Sequence, residues 1–358
     1  MGCLYDSPTY LDDLHQAISS TVGLERLASS TVAVAGATGM IGSFIVDALM
    51  LAQAERGIDI GVIAMGRSVS RLERRFGCCP FGRTVLVEAD VREAVALGSR
   101  VDYIVRAASN AHPAAINADP VGTSESNVLG VLNLLRWGSA RGCRRFLYVS
   151  SGEVYGRMPE GASDFSEDAQ GYVDPLSPRS CYPLSKRLAE NICVSWALES
   201  DMDCIVVRPC HTFGPTSTPS DSRASEQFAR RAFEGEDVVL KSTGAQVRSY
   251  LHVADAASGI LSAMLAGESG RAYNIASPRI QVSVADLARA FAGAAGVDVV
   301  FDLPRDVPAG ETPITRQVLD PSALTFLGWR LAYSLAKAVK RTLSVRREED
   351  GNQSCLKA

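Results

Sequence analysis

The chain has 358 residues, of which 46% are hydrophobic and 21% charged, with a formal net charge of −4. That length and composition suit a globular protein with a sizeable core and more than one compact unit. The acidic balance argues against a nucleic-acid partner, and the apolar runs fall short of the about 20 residues of a membrane helix, so no membrane partner is expected either.

Residues 1–30 predict an N-terminal helical extension, with an amphipathic helix around Leu11 to Leu27. Thr31-Val-Ala-Val-Ala is a short apolar run ended by glycines and predicts a buried strand. A helix is expected over 43–54, then strands at 58–64, 84–88 and 101–105. A helix over 126–140 places Val128, Val131, Leu132 and Leu135 on one face. Strands follow at 145–150 and 203–208, with a helix over 182–199 between them. This alternation implies βαβ units and an α/β fold: a Rossmann doubly wound parallel sheet over 31–209. Beyond it the pattern weakens. Thr212 to Arg223, rich in Pro, Ser and Thr, reads as a loop. Helices near 224–234, 254–266, 283–294 and 332–344 suggest a smaller C-terminal substrate-binding lobe over 210–345, partly interleaved with the sheet domain. The polar stretch 346–358 reads as a frayed, flexible tail.

Nine cysteines, an odd number without Cys-x-x-Cys, predict free and buried thiols in a reducing, cytoplasmic setting. None of the four histidines pairs with Cys or acid at zinc spacing, so no metal is expected. The first thirty residues lack a signal-peptide pattern. Met1-Gly2-Cys3 has Asp6 where a myristoylation site wants Ser or Thr. Cys355-Leu-Lys-Ala has Lys357 where a prenylation box wants an aliphatic residue. Both read as chance matches.

Chemistry concentrates after the strands. Gly36-Ala-Thr38-Gly39-Met40-Ile41-Gly42 joins the first strand to a helix. Glycines let the backbone approach a pyrophosphate, and the helix N-terminus supplies amide donors, so a dinucleotide is expected there. The second strand ends Met65-Gly66-Arg67, without the acid that would hold a ribose 2′-hydroxyl. Arg67 leans the cofactor toward NADP over NAD, though stacking on adenine or solvation also suits it. Asp90-Val91 can meet the adenine, and Ala107-Ala108-Ser109 gives small residues where the dinucleotide crosses the sheet edge. Tyr182-Pro-Leu-Ser-Lys186 puts two side chains one helical turn apart. A nearby ammonium favours the phenolate, so Tyr182 can take a proton from a substrate hydroxyl. Ser150-Ser151-Gly152-Glu153-Val154-Tyr155-Gly156 follows the fifth strand and offers a hydroxyl to the same oxygen.

These motifs, with Arg208-Pro-Cys-His211-Thr-Phe-Gly-Pro215 and Arg248-Ser-Tyr-Leu-His-Val-Ala-Asp255, resemble the extended short-chain dehydrogenase/reductase family. More narrowly the chain resembles its NAD-dependent epimerase/dehydratase branch, over about residues 30 to 340. The resemblance implies Ser151, Tyr182 and Lys186 as catalytic residues, a nucleoside-diphosphate sugar as substrate and a transient 4-keto sugar. It implies that Arg248 binds the diphosphate, that His211 replaces a usual Asn at the substrate, and that two copies form a homodimer. Arg106 stands where many relatives carry His and reads as structural. Relatives that dehydrate hexose nucleotides carry an acid pair where this chain has Gly152-Glu153, and UDP-glucuronate decarboxylases carry Ser-Glu. Glu153 therefore suggests proton transfer at C5, with a loop-holding role as the alternative. A decarboxylase of the UDP-glucuronate type and an NADPH-dependent keto-sugar reductase remain alternatives.

Overall fold

A computed structural model describes residues 3–82, 84–109, 111–159, 161–303 and 314–356. Helix α1 (Pro8–Ser20) starts with Ser7 Oγ accepting from Tyr10 N at 3.0 Å and Pro8 in the first turn. It ends earlier than the expected Leu27. Gly23, at φ +76°, breaks the chain and opens a separate 3-10 turn at Leu24–Leu27. Strand β1 (Ser30–Ala35) leads into α2 (Met40–Arg56), and β2 (Ile60–Gly66) into α3 (Val69–Phe76). The sequence reading missed α3, because only Leu72 and Phe76 of its eight residues are buried. After β3 (Thr84–Glu88) and β4 (Tyr103–Arg106) come α4 (Pro113–Ala118) and α5 (Pro120–Ala140). Helix α5 begins six residues before the expected start. Asp119 caps it by accepting from Gly122 N at 2.9 Å, and Pro120 follows.

Strand β5 (Arg145–Val149), α6 (Cys181–Glu199) and β6 (Asp203–Pro209) complete the regular alternation. Then follow β7 (His211–Phe213), α7 (Ala224–Glu234), β8 (Val238–Leu240), β9 (Val247–His252), α8 (Val253–Ala266) and β10 (Ala272–Ile275). The chain closes with β11 (Gln281–Ser283), α9 (Val284–Ala295), β12 (Val299–Phe301), β13 (Arg316–Gln317), α10 (Ser322–Phe326) and α11 (Leu335–Leu356).

Seven strands form one parallel sheet in the order β10-β6-β5-β4-β1-β2-β3. Both faces are covered, which is why the strands read as unbroken apolar runs. One face carries α1, α2 and α8 through residues such as Leu14, Phe44, Leu49 and Ile260. The other carries α5 and α6 through Val131, Leu134, Leu135, Ala189 and Cys193. The strand order reverses between β1 and β4. Ligands of open α/β sheets bind at the carboxyl ends of the strands beside such a reversal. A second sheet joins β7, β9, β11 and β13, and β8 pairs with β12.

The N-terminal segment is anchored through buried charge. Asp47 on α2 is enclosed by the hydroxyls of Tyr5 and Tyr10 and by the Arg75 guanidinium. Of the stretch expected to fray, the described residues 346–356 instead continue α11. Arg346 pairs with Glu226 at 2.6 Å, and Glu348 accepts from Thr9 N at 3.2 Å and Thr9 Oγ1 at 2.7 Å. The thiols are only partly as expected. Cys143, Cys193, Cys204 and Cys210 are buried and free, whereas Cys78 is exposed and free. The N-terminal Met1-Gly2 and the end of the Cys355 box lie outside the described residues. Among the described residues no helix is long and apolar enough to cross a membrane, and no metal-ligand cluster forms.

Candidate active site

Two adjoining cavities lie at the carboxyl edge of the sheet. The first is lined by Gly36, Thr38 and Gly39 after β1, Gly66, Arg67, Ser68 and Arg71 after β2, Asp90 and Val91 after β3, and Ala107, Ala108 and Ser109 after β4. Four consecutive strand ends thus build one cleft. Gly36 has φ +90°, and a Cβ there would lie 2.5 Å from Ala108 N. Only glycine lets β1 turn so close to the β4 loop. A Cβ on Gly42 would lie 2.3 Å from Gly36 O, so Gly42 serves the packing of the turn. Gly39 differs: a Cβ there meets nothing nearer than Gly36 O at 3.4 Å, because its open side faces the cleft. Met40 is buried beneath the loop, where its carbonyl accepts from Thr216 Oγ1 at 2.9 Å. Asp90 is held by Arg92 at 2.6 Å, which keeps its carboxyl below the ordinary range.

The second cavity is lined by Ile41, Ser150, Ser151, Glu153, Tyr182, Lys186, His211, Arg223 and Gln317, and it shares Ala107 and Ser109 with the first. The structure therefore brings together Ser151, Glu153, Tyr182, Lys186 and His211 from three separate motifs. Ser151 caps the short 3-10 turn Gly152–Tyr155, its Oγ accepting from Glu153 N at 3.1 Å. Lys186 is buried. Its Nζ donates to Val149 O at 2.8 Å and lies 5.6 Å from the centre of the Tyr182 ring. Burial holds the amine well below the ordinary lysine range. Burial, then the Glu153 carboxylate, push the Tyr182 phenol up to about 12, while hydrogen bonding to Ser151 and the charges of Arg179 and Arg223 oppose them. His211 Nε2 lies 3.0 Å from Gln317 Oε1, and Gln317 Nε2 donates to Gly152 O at 2.9 Å. Burial, then Arg248 and Arg223, lower the imidazole to about 3, so it is neutral at pH 7.

Other motif residues hold the frame. Arg208 pairs with Glu190 at 2.7 Å and donates to the Tyr155 hydroxyl at 2.9 Å, while Tyr155 stacks on Phe165. Asp255 accepts from Ala332 N and Tyr333 N. Arg106 is fully buried over the Tyr148 ring and donates to Ser126 O. Arg248 is not among the lining residues; its guanidinium donates to the carbonyls of Val247 and Ile314. The loop-holding role expected as the alternative for Glu153 would need its carboxylate to accept backbone N–H bonds, and Arg179 takes that place, at 3.1 and 2.9 Å. Arg179, Arg223 and Gln317 escaped the sequence reading. Arg223 was assigned to a loop, and Gln317 lies on a two-residue strand. Arg179, three residues before Tyr182, was the one within reach of a sequence argument.

A family model described as the NAD dependent epimerase/dehydratase family matches residues 32–276. The chain is 29% identical over 325 residues to UDP-glucuronic acid decarboxylase 1 of Xenopus tropicalis, covering 90% of this chain and 73% of that protein. It is similar to the structure of dTDP-glucose 4,6-dehydratase from Streptomyces venezuelae with NAD bound. There the TM-score is 0.76 and the identity 26%, over 90% of this chain and 98% of that one. It is also similar to UDP-glucose 4-epimerase from Thermotoga maritima with UDP-glucose, with a TM-score of 0.74 and 25% identity, over 89% and 99%.

Proposed function

This chain belongs to the NAD-dependent epimerase/dehydratase family, and we propose that it acts on a nucleoside-diphosphate sugar as an NAD(P)-dependent epimerase or dehydratase, through a transient 4-keto sugar. The observation that carries this reading is the meeting of Ser151, Tyr182 and Lys186 in a cavity that opens into the glycine-lined cleft. The cleft fits a dinucleotide: Gly39 leaves an open face where a pyrophosphate would approach, and β1 to β4 all end on it. Bound there, the cofactor supplies a hydride acceptor that can later return the hydride. Arg67 and Arg71, both exposed at the β2 end, suit a 2′-phosphate and support NADP.

In this mechanism Tyr182 removes the proton of the C4 hydroxyl as the C4 hydrogen departs. Ser151 donates a hydrogen bond to the reacting oxygen. Lys186 stabilises the phenolate and reaches the nicotinamide ribose. Oxidation at C4 acidifies the C5 hydrogen, within reach of chemistry by Glu153. His211 contacts the sugar as a neutral imidazole; Arg248, buried and engaged by the Val247 and Ile314 carbonyls, would have to leave them to take the diphosphate that the resemblance implies. Residues 31–209 serve the cofactor and 210–345 the sugar nucleotide. Exposed Leu129, Leu188 and Leu198 on α5 and α6 support a homodimer through these helices. Free thiols support a reducing, cytoplasmic compartment.

A decarboxylase of the UDP-glucuronate type is the second reading. Glu153 without an acid at Gly152 favours it, as does the likeness to proteins named UDP-glucuronic acid decarboxylases.

Denaturing the purified protein and identifying any released dinucleotide by mass spectrometry tests the reading. Stoichiometric NAD or NADP is expected, because a recycled cofactor is held tightly. A protein that arrives empty and consumes NADPH once per turnover would overturn it in favour of a keto-sugar reductase. Incubation with UDP-glucuronate, UDP-glucose and dTDP-glucose, followed by NMR of the products, then separates loss of carbon dioxide from epimerisation or dehydration.

A further inference from the structure

Arg179 is carried by a 3-10 turn, Pro178–Ser180, that runs directly into α6. It stands three residues before Tyr182. Its Nη2 lies 3.1 Å from Glu153 Oε1 and 2.9 Å from Oε2, and both side chains are about three-quarters buried. Glu153 lines the cavity beside Ser151 and Tyr182. A carboxylate so placed is poorly suited to the task assigned to Tyr182, because a negative charge beside a phenol opposes formation of the phenolate.

We propose that Arg179 is a further positioning residue of this reaction: it clamps Glu153 through both carboxylate oxygens and offsets its charge, so that Tyr182 can ionise beside an acid kept for C5 chemistry. This rests on the reading of Tyr182 as the base. The groups facing the phenol are Ser151 after β5, Lys186 one turn along α6, Glu153 and Arg179, Arg223 ahead of α7, and Arg106 on β4 behind the Tyr148 ring. Among them Glu153 opposes the phenolate, and Arg179 is the cation paired with it. Arg223 is already engaged by Asp221, and Lys186 by the Val149 carbonyl. Arginine suits the clamp, since its guanidinium keeps its charge when largely buried, and here the single nitrogen Nη2 spans both carboxylate oxygens.

The test reads the phenol directly. Difluorotyrosine placed at position 182 ionises several pH units lower than tyrosine, and its fluorine NMR signal reports the titration in the full chain loaded with the dinucleotide it releases on denaturation. R179Q is expected to raise the ionisation by on the order of one pH unit, the low end for loss of a neighbouring opposite charge. R179K should keep most of the original value, and R179Q combined with E153Q should return it to within a few tenths of a unit. The proposal fails if R179Q titrates with the unsubstituted chain, or if the double variant keeps the whole shift, since that marks a packing defect. Turnover of UDP-glucuronate and dTDP-glucose by the unsubstituted chain is scored separately. If it converts neither while the fluorine titration moves as expected, those two sugars fall as substrates, while the electrostatic pairing of Arg179 and Glu153 beside Tyr182 stands.

Discussion

Lys186 Nζ lies 5.6 Å from the centre of the Tyr182 ring, one helical turn along α6, and is tethered to the Val149 carbonyl at 2.8 Å. The end of β5 thereby fixes the amine below the phenol that must ionise. Tyr182→Phe removes only a hydroxyl and should lower kcat by about 10²–10⁴-fold, the usual contribution of a general base. Lys186→Met should lose activity over the same range. Thermal unfolding of the Phe variant should stay near that of the unsubstituted chain. Near-normal turnover in both variants would remove these residues from the mechanism.

Two glycines of one loop should respond differently. Gly36→Ala places a Cβ 2.5 Å from Ala108 N at φ +90°, so roughly 1–3 kcal/mol of strain is expected together with a displaced loop. Gly39→Ala meets no protein atom nearer than 3.4 Å, and stability should change by no more than about 0.5 kcal/mol. Both should weaken the dinucleotide, the second purely by filling its approach. Urea unfolding and calorimetric titration separate the effects. A Gly39→Ala protein with undiminished dinucleotide affinity would place the pyrophosphate elsewhere.

Cofactor choice should rest on Arg67 and Arg71. Replacing both with alanine should weaken NADP by roughly 10–100-fold, as expected for lost hydrogen bonds to a charged group, and leave NAD within about threefold. Equal losses for the two dinucleotides would mean that these arginines serve adenine or the pyrophosphate.

His211 makes acid stability measurable. Its folded pKa, about 3, lies below the ordinary 6.5, so folding favours the neutral ring. The contribution is fully present above pH 6.5 and is lost as pH falls from 6.5 toward 3, by at most about 1.4 kcal/mol per pH unit. His211→Gln cannot take up that proton. Its urea midpoint should fall less steeply between pH 6 and 5 than that of the unsubstituted chain. Parallel curves would show that His211 protonates freely in the folded protein.

The sequence alone determined six of the seven strands of the main sheet, β10 excepted, together with the glycine turn and the Tyr182–Lys186 spacing. Each depends on local chemistry: apolar runs buried on both faces, backbone freedom at Gly36, and two side chains one helical turn apart. It did not show α3, whose single buried stripe of Leu72 and Phe76 is masked by its charged residues, or the docking of α11. That polar segment is held where Glu226 and Thr9 lie opposite Arg346 and Glu348. The site divides in the same way. Ser151 and Tyr182 could be found from their motifs. Arg179 on Glu153, Gln317 on His211 and the hold of Val149 on Lys186 could not, since each links residues 26 to 106 positions apart. Side-chain charge is set by such neighbours, and only the folded chain decides which neighbours meet.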